Sequence, residues 1–590
     1  MKQFFKFFLA ALLGGLATFA VISFFMFAFI AGMAAIAGSG DSKVKIKENT
    51  VLLIDLDGPV VERTTNDPFA EALNAMKNIP SAIGLNTILK DIRKAKKDKN
   101  IKGIYIEPGM IDAGFATLEE IRDALIDFKE SGKFIISFAP VYTQRAYYLA
   151  SVADSIYLNP GGMLEFKGLF AQRMFYKGTL EKLGIDMQVV KHGKFKSAVE
   201  PFIRDNMSDP AKLQTEKYIN SIWGHLLDKI AEQRDLSRDT LMALADEMLM
   251  FRDQQLLVDA GLIDGLKYKD EVISDLKKLT ETDEEDDVRA VSLKKYAKVY
   301  VPSGKKGFAK DKIALIYAQG DIDGFTQDGI DSEKLSKTIR KARRDSSIKA
   351  IVLRVNSPGG SALGSEVIWR EVKLAKEVKP VIVSMGDLAA SGGYYISCAA
   401  DKIIAQPVTI TGSIGIFGLI PNTEGLMKKI GLSFDGVKTN KFADMPSTVR
   451  PFTKQEKELM QGYIELGYKT FITRCADGRN TTTDKIDEIG QGRVWSGEDA
   501  VAINLVDTLG NINDAIETAK QMAGLDNYRI VELPKETDPF EQLIKDLMGD
   551  VRMSIGKSIM GEDYKLLRTL RNLTEGYQIQ ARLPFDVEIH

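Results

Sequence analysis

The chain has 590 residues, too many for one hydrophobic core, so two or more domains are expected. Apolar residues make up 45% and charged residues 27%, as in globular proteins, and the formal net charge of −2 offers no basic surface for nucleic acid. The two cysteines and three histidines lack CxxC or HExxH spacing, which argues against a disulfide framework and a protein zinc site, and we expect neither metal nor cofactor.

Residues 1–40 predict a membrane anchor. Positions 7 to 40 contain no charged residue, and these 34 positions exceed the roughly 20 that a helix needs to span a bilayer. Lys2 and Lys6 precede the run, so the positive-inside rule places the N-terminus in the cytoplasm. A signal peptide cut near 34–38 is the alternative, but its apolar region is usually only about 7–15 residues. We expect a single-pass anchor in the inner membrane, with the body on the periplasmic or outer side.

Strands and helices then alternate along the chain. Apolar runs over 51–58, 101–106 and 134–138 predict buried strands. Amphipathic stretches over 85–98 and 117–130 predict helices between them. This alternation is typical of an α/β domain with a parallel sheet.

The chain repeats itself at a constant offset of 247 positions. The identical residues include Ala342, Asp345, Ile348 and Lys349, which fall on Ala95, Asp98, Ile101 and Lys102. Matches continue as far as Phe442, which falls on Phe195, so a whole domain is duplicated rather than a short repeat. We predict a first repeat over 50–275, a linker over 276–310 with the acidic run 283–287, a second repeat over 311–530 and a helical extension over 531–590.

A serine lies at a predicted strand-to-helix turn in the second repeat. The strand over 381–384 is followed by small residues up to Gly393, and a helix is predicted over 394–400. Ser391 therefore lies near free backbone N–H groups and the positive end of a helix dipole, which favour an oxyanion. The alternative is a small-residue turn that only packs tightly. The glycine loop over 355–361 also follows a strand, but neither the dinucleotide fingerprint nor the Walker lysine that would indicate a phosphate site is present.

The two repeats differ where chemistry is expected. Ser391 falls on Gln144 of the first repeat, whereas Lys196 of the first repeat falls on Ala443 of the second. This complementarity predicts a site shared between the repeats, with Ser391 as nucleophile and Lys196 as its general base. Lysine is a base only when neutral, and burial beside apolar neighbours such as Phe195 lowers its pKa. The alternatives are a surface lysine in a basic stretch, or His192 as the base.

Four motifs together resemble the signal peptide peptidase A family, also called protease IV, in its long duplicated bacterial form. They are Asn356-Ser-Pro-Gly-Gly-Ser361, Ala389-Ala-Ser391-Gly-Gly-Tyr-Tyr395, Thr411-Gly-Ser413-Ile-Gly-Ile-Phe417 and Lys194-Phe-Lys196-Ser-Ala-Val-Glu-Pro-Phe202. The glycine and serine motifs also resemble the wider Clp-protease and crotonase superfamily, which implies that fold for each repeat.

The resemblance implies a membrane-anchored serine peptidase with a Ser391–Lys196 dyad that degrades signal peptides and other apolar peptides. It further implies that Ser413 hydrogen-bonds the lysine, that Gly359, Gly360 and Gly392 form the oxyanion and substrate site, and that the protein is a homotetramer. Two other classes remain open from the residues: an acyl-CoA hydratase or thioesterase on the crotonase fold, and a non-catalytic membrane scaffold that binds peptides.

Overall fold

The computed structural model describes residues 2–38, 45–64, 80–301, 309–324, 329–535 and 580–582. An N-terminal helix covers Lys2–Gly38. Within these described ranges, no helix combines the length and apolar character required to cross a membrane. Most of the predicted C-terminal extension, over 531–590, lies outside the described residues.

The first repeat is built on a parallel sheet. Its strands, in spatial order, are Ile83–Gly84, Thr50–Val61, Ile101–Asp112, Phe134–Tyr142, Ser155–Leu164 and Gly265–Leu266. Strand Ala290–Ser292 pairs with Thr50–Val61, so part of the predicted linker over 276–310 extends this sheet. The α-helices of this half are Leu85–Lys97, Phe115–Lys129, Gln144–Ala150, Lys177–Leu183, Glu200–Ile203, Asp209–Arg234, Arg238–Asp246, Gln255–Asp259, Lys269–Leu279 and Leu293–Tyr296, with short 3-10 turns at Ser197–Val199 and Leu249–Phe251.

The second repeat has a corresponding sheet. Its strands, in order, are Val494–Ser496, Ile410–Gly412, Val381–Ala390, Ile348–Ser357, Lys312–Gln319 and Arg529–Leu533, while Lys402–Ala405 pairs with Val381–Ala390 and with Thr508–Leu509. All pairs are parallel except that between Val494–Ser496 and Ile410–Gly412. The helices of this half are Ser332–Arg344, Ala362–Lys376, Gly392–Ser397, Glu424–Lys429, Lys454–Gly478, Thr483–Ile489, Gly497–Ala502 and Ile512–Met522.

The offset of 247 positions reproduces the ends of corresponding helices. Helix Leu85–Lys97 becomes Ser332–Arg344, and helix Phe115–Lys129 becomes Ala362–Lys376. The duplication of one α/β domain, predicted from scattered identities, is therefore present in the fold. The strands are longer than the apolar runs that predicted them, because main-chain pairing continues through polar residues, as at Glu107 and Asp112 in strand Ile101–Asp112.

The two repeats share a core and a third sheet. One cluster of buried apolar side chains contains Leu52 and Ile104 of the first repeat together with Ile382 and Ile516 of the second half. The third sheet, called the joining sheet below, has the strand order Gly359–Ser361, Gln580–Arg582, Phe417–Asn422 and Asp186–Lys191, all paired antiparallel. Since Asp186–Lys191 comes from the first repeat, this sheet fixes one repeat against the other.

A glycine contact at the repeat boundary predicts a difference between two equivalent substitutions. Gly184 has φ of 82°, and a Cβ there would lie 2.7 Å from backbone atoms of Gly425 and Leu426 in the other repeat. Gly431, its counterpart at the same offset, has φ of 80° and no atom within 4 Å of such a Cβ. Both alanine variants meet the left-handed backbone penalty of about 1–2 kcal/mol. We expect Gly184→Ala to lose about 1–3 kcal/mol more, because the added methyl group overpacks the boundary.

Urea unfolding of the two variants and the unaltered protein measures this difference. Equal losses for Gly184→Ala and Gly431→Ala would show that the boundary is not close-packed at this point.

Candidate active site

Ser391 lies at the turn between strand Val381–Ala390 and helix Gly392–Ser397. Its φ of 56° and ψ of −112° are strained for a residue with a side chain. Two backbone hydrogen bonds hold this geometry: the Ser391 N–H donates to the Gly412 carbonyl oxygen at 2.8 Å, and its carbonyl accepts from Tyr395 at 2.8 Å. The side chain is fully buried. The small residues around the serine permit this sharp turn, which presents Oγ beside the free N–H groups of a helix start.

Lys196 comes from the first repeat and reaches the same point. It follows strand Asp186–Lys191 of the joining sheet and directly precedes the 3-10 turn Ser197–Val199. Residues of the second repeat enclose it: the Phe195 N–H donates to the Gln491 carbonyl oxygen at 3.0 Å, and a Cβ on Gly492 would lie 2.6 Å from Lys196 Cβ. No side chain fits at Gly492 while the lysine keeps this position.

The structure brings the predicted serine, lysine and second serine together. Lys196 Nζ lies 2.9 Å from Ser391 Oγ, 3.0 Å from Ser413 Oγ and 3.1 Å from the Ser413 carbonyl oxygen. All three side chains are fully buried, with 0% exposure. Burial lowers the pKa of Lys196 well below its usual 10.5, and desolvation is the cause. Among the described residues, Lys196 forms no ion pair that would oppose this effect.

The arrangement of acceptors around Nζ suits a neutral amine. A neutral lysine has two N–H donors and one lone pair, whereas the ammonium form has three donors and no lone pair. The Ser413 carbonyl oxygen can only accept, and the Ser413 hydroxyl can accept a second hydrogen bond. The lone pair then faces Ser391, whose O–H can donate to it. This geometry allows the amine to take a proton from the Ser391 hydroxyl.

The predicted glycines lie next to this group. Gly359 and Gly360 have φ of 100° and 153°, and a Cβ on Gly360 would lie 2.2 Å from the Ile322 carbonyl oxygen. The Gly359 carbonyl accepts a hydrogen bond from the Ile322 N–H, and the Ser361 N–H donates to the Ile322 carbonyl oxygen. Because successive residues of a strand alternate in direction, the main-chain groups of Gly360 face the opposite side of the strand. That side holds Ala581, the residue paired with Gly360. Gly392 is the first residue of the helix after Ser391.

The loop and the serine turn are in contact. A Cβ on Gly393 would lie 2.6 Å from the Ser357 carbonyl oxygen, so the loop packs closely against the first turn of the helix. Gly359 and Gly360 therefore follow closely on a segment that contacts the helix beginning after Ser391.

His192, the alternative base, contacts another side chain and not Ser391. Its ring stacks on Tyr468, with centroids 4.0 Å apart and an interplanar angle of 22°. In the described part of the chain, the basic side chain within hydrogen-bonding distance of Ser391 Oγ is Lys196.

Two contributors to the site were not found from the sequence. Gly492 encloses the lysine, and Gln214 holds its segment by donating to the Phe195 carbonyl oxygen at 3.0 Å and to Ser197 Oγ at 3.1 Å. Gln214 lies on a helix and Gly492 in a loop of the other repeat, and neither stands in a motif.

The site contains a buried serine at a strained strand-to-helix turn, and a desolvated amine and a glycine strand lie beside it. This combination defines the site of a serine hydrolase. The family model described as peptidase family S49 matches residues 127–283 and 373–526, and these two segments contain Lys196 and Ser391 respectively. The chain belongs to peptidase family S49, and it is a serine peptidase.

Known proteins match almost the whole chain. Protease 4 of Salmonella typhi is 36% identical over 553 residues, covering 91% of this chain and 88% of its own length. The chloroplastic serine protease SPPA of Arabidopsis thaliana is 32% identical over 533 residues, covering 89% of this chain and 77% of its own length. A solved ClpP1 mutant from Listeria monocytogenes covers 34% of this chain and 94% of its own, with 16% identity and a TM-score of 0.24. Membership of the peptidase family sets aside the acyl-CoA enzyme and the non-catalytic scaffold.

The buried lysine predicts how stability depends on pH. Because the pKa of Lys196 is lower in the folded protein than in the unfolded chain, the unfolded chain binds more protons between the lowered pKa and 10.5. Folding stability should therefore rise with pH through that window, by up to about 1.4 kcal/mol for each unit of lowering. We expect Lys196→Met to be more stable than the unaltered protein near neutral pH. Its free energy of unfolding should also lack the part of the rise with pH that Lys196 causes.

Denaturant unfolding from about pH 6 to about pH 9 measures this slope, with Lys194→Met as the control at an exposed lysine. If Lys196→Met is less stable at neutral pH and the slope of its unfolding free energy against pH is unchanged, the buried amine is not uncharged.

Proposed function

We propose that this protein is a membrane-anchored endopeptidase with a Ser391–Lys196 dyad, which degrades cleaved signal peptides and other apolar peptides. The observation that carries the proposal is the distance of 2.9 Å between Lys196 Nζ and Ser391 Oγ, two side chains that are both fully buried. A serine hydroxyl becomes an effective nucleophile when a neighbouring base accepts its proton.

The reaction proceeds in two halves. Neutral Lys196 accepts the Ser391 proton as Oγ attacks the peptide carbonyl carbon, and the carbonyl oxygen becomes an oxyanion. The N–H groups of Gly360 and Gly392 stabilise that oxyanion. The lysine then donates its proton to the leaving amine, and an acyl-enzyme remains. In the second half, water attacks the acyl carbon while Lys196 again takes the proton, and Ser391 is regenerated. Ser413 orients the amine through both acceptors.

The joining sheet supports an extended peptide as substrate. Strand Gln580–Arg582 lies between Gly359–Ser361 and Phe417–Asn422, so the cleft beside Ser391 accepts a main chain in β conformation. Main-chain hydrogen bonds of this kind bind peptides of many sequences. A substrate would take the place of residues 580–582 and pair with Gly360.

Membrane anchoring and assembly belong to the same proposal. The charge-free run over 7–40, of which positions 7 to 38 lie in helix Lys2–Gly38, supports a single-pass anchor in the inner membrane, with the N-terminus in the cytoplasm and the catalytic body on the periplasmic or outer side. A homotetramer is supported by the motif resemblance and by an exposed apolar segment, in which Leu432, Phe434 and Val437 are 51%, 59% and 102% exposed.

Labelling with a serine-directed phosphonate tests the dyad. We expect one labelled peptide that contains Ser391, and no labelling in Ser391→Ala. Lys196→Ala should reduce both labelling and hydrolysis of a short apolar peptide ester by about 10⁴-fold or more, since the hydroxyl loses its base. Lys194→Ala, two positions away and exposed, is the matched control. Near-normal turnover by Lys196→Ala in folded protein would eliminate the dyad.

The proposed binding mode predicts competition with residues 580–582. Ala581→Pro removes the N–H that faces Gly360, so this strand should pair more weakly and the KM for a short apolar peptide should fall several-fold at unchanged kcat. Gln580→Ala, which keeps every main-chain donor, is the control. The measurement is steady-state hydrolysis with both variants, and an unchanged KM in Ala581→Pro would show that substrates bind elsewhere.

A further inference from the structure

A buried ion cluster lies outside the dyad and links the two repeats. Arg354 of the second repeat is fully buried, and its Nε lies 2.8 Å from Glu62 Oε2, while Nη1 lies 2.7 Å from Glu120 Oε1. Both carboxylates belong to the first repeat, and their side chains are 2% and 0% exposed. Arg354 Nη1 also donates to Ser384 Oγ at 2.9 Å, on the strand that leads to Ser391. A buried guanidinium requires such partners, and removing one leaves an uncompensated charge.

Glu62 makes one contact that Glu120 does not make. Its Oε1 accepts a hydrogen bond from Asn356 Nδ2 at 2.8 Å. The other side of that amide, Asn356 Oδ1, accepts from the Leu388 N–H at 3.1 Å. Leu388 lies three residues before Ser391, and Asn356 begins the glycine loop. The Asn356 side chain is thus a bridge between the loop and the serine strand, and Glu62 fixes which way the amide faces.

The contact leaves no room for adjustment. A Cβ on Gly386 would lie 2.6 Å from Glu62 Oε1 and 3.1 Å from Asn356 Cγ, so only a glycine allows the carboxylate and the amide to meet there. The loop beyond Asn356 is held in turn: Ser357 Oγ donates to the Gly320 carbonyl oxygen at 2.6 Å and accepts the Gly359 N–H at 3.2 Å. A shift of Asn356 would therefore move the backbone that leads to Gly359 and Gly360.

The three charged residues of the cluster have no counterparts in the other repeat. At the offset of 247 positions, Glu62 corresponds to Ala309, Glu120 to Val367 and Arg354 to Glu107. The first repeat, which has Gln144 at the position that corresponds to Ser391, supplies carboxylates that hold the loop of the second repeat.

We propose that Glu62 is a positioning residue that sets the spacing between the glycine loop and Ser391, through the side chain of Asn356. It touches neither substrate nor the dyad, and its effect on catalysis passes through the loop. This inference rests on the proposed function, because it assumes that the loop stabilises the oxyanion formed at Ser391.

A comparison of Glu62→Gln with Glu120→Gln separates positioning from stability. Glutamine at position 62 offers one acceptor oxygen, so either Asn356 Nδ2 or Arg354 Nε must face its amide nitrogen and lose a hydrogen bond. We expect kcat for a short apolar peptide ester, and the rate of phosphonate labelling, to fall by about 10–100-fold at nearly constant KM, as for a small misplacement of catalytic groups.

Glu120→Gln is the matched control, since it alters the same guanidinium without touching Asn356. Burial raises the pKa of Glu120 to about 7, against the opposing effect of Arg354. We expect a lower Tm and a kcat within about twofold of the unaltered protein.

Two further variants keep the test decisive. Asn356→Ala removes the bridge and leaves the ion cluster intact, so it should lose kcat like Glu62→Gln, even if Glu62→Gln folds poorly. In the double variant Glu62→Gln with Asn356→Asp, the net charge is unchanged and the glutamine amide can donate to the new carboxylate, so most of kcat should return.

A merely structural role predicts other results. If Glu62→Gln lowers Tm but keeps kcat, or if Glu120→Gln loses as much kcat as Glu62→Gln, positioning by Glu62 is overturned. Failure of the proposed function is distinguishable, because the unaltered protein itself would then show neither labelling at Ser391 nor hydrolysis.

Discussion

The burial of one amine determines how the rest of this structure must be arranged. Lys196 lies without exposure to water and beside neutral oxygen atoms, so the protein stabilises its uncharged form. Such an amine is useful only if a hydroxyl lies within about 3 Å of it. Here the hydroxyl belongs to the other repeat, and the two repeats must therefore be fixed to within a fraction of an ångström. The pairing of Asp186–Lys191 with Phe417–Asn422 and the close approach of Gly492 to Lys196 provide that rigidity.

Backbone strain is concentrated at the two serines that contact the Lys196 amine. Ser391 and Ser413 have φ of 56° and 50°, which side-chain-bearing residues seldom adopt. Each is held by a hydrogen bond to a neighbouring strand or loop, from Ser391 to Gly412 and from Ser413 to Arg493. A strained conformation persists when its surroundings over-determine it, and here those surroundings include both repeats. The cost of the strain is offset by contacts that also position the two hydroxyl groups around Nζ.

Much of this architecture could be predicted from the sequence, because duplication leaves a regular signal. The offset of 247 positions identified corresponding helices to the residue, and the exchange of Lys196 for Ala443 indicated which lysine to consider. Contacts between positions far apart in the chain could not be predicted. Nothing in the local pattern around Glu62 or Gly492 indicates a partner some hundreds of residues away.

The strand Gln580–Arg582 lies in a stretch for which the sequence predicts a helical extension. Strand Ala290–Ser292 likewise adds to the first sheet from within the predicted linker, because main-chain pairing needs no long apolar run.

In the proposed mechanism, the division of Ser391 and Lys196 between the repeats has a consequence for the order of events in the cell. Synthesis begins at the N-terminus, so the lysine repeat is complete before the strand that precedes Ser391 has been made. Until Phe417–Asn422 docks on Asp186–Lys191, the amine has no hydroxyl to deprotonate, and the hydroxyl has no base. A nascent, truncated or partly unfolded chain would thus be chemically inert. In the proposed mechanism, peptidase activity would therefore depend on the docking of the two repeats, as the activity of other proteases depends on the removal of a pro-segment.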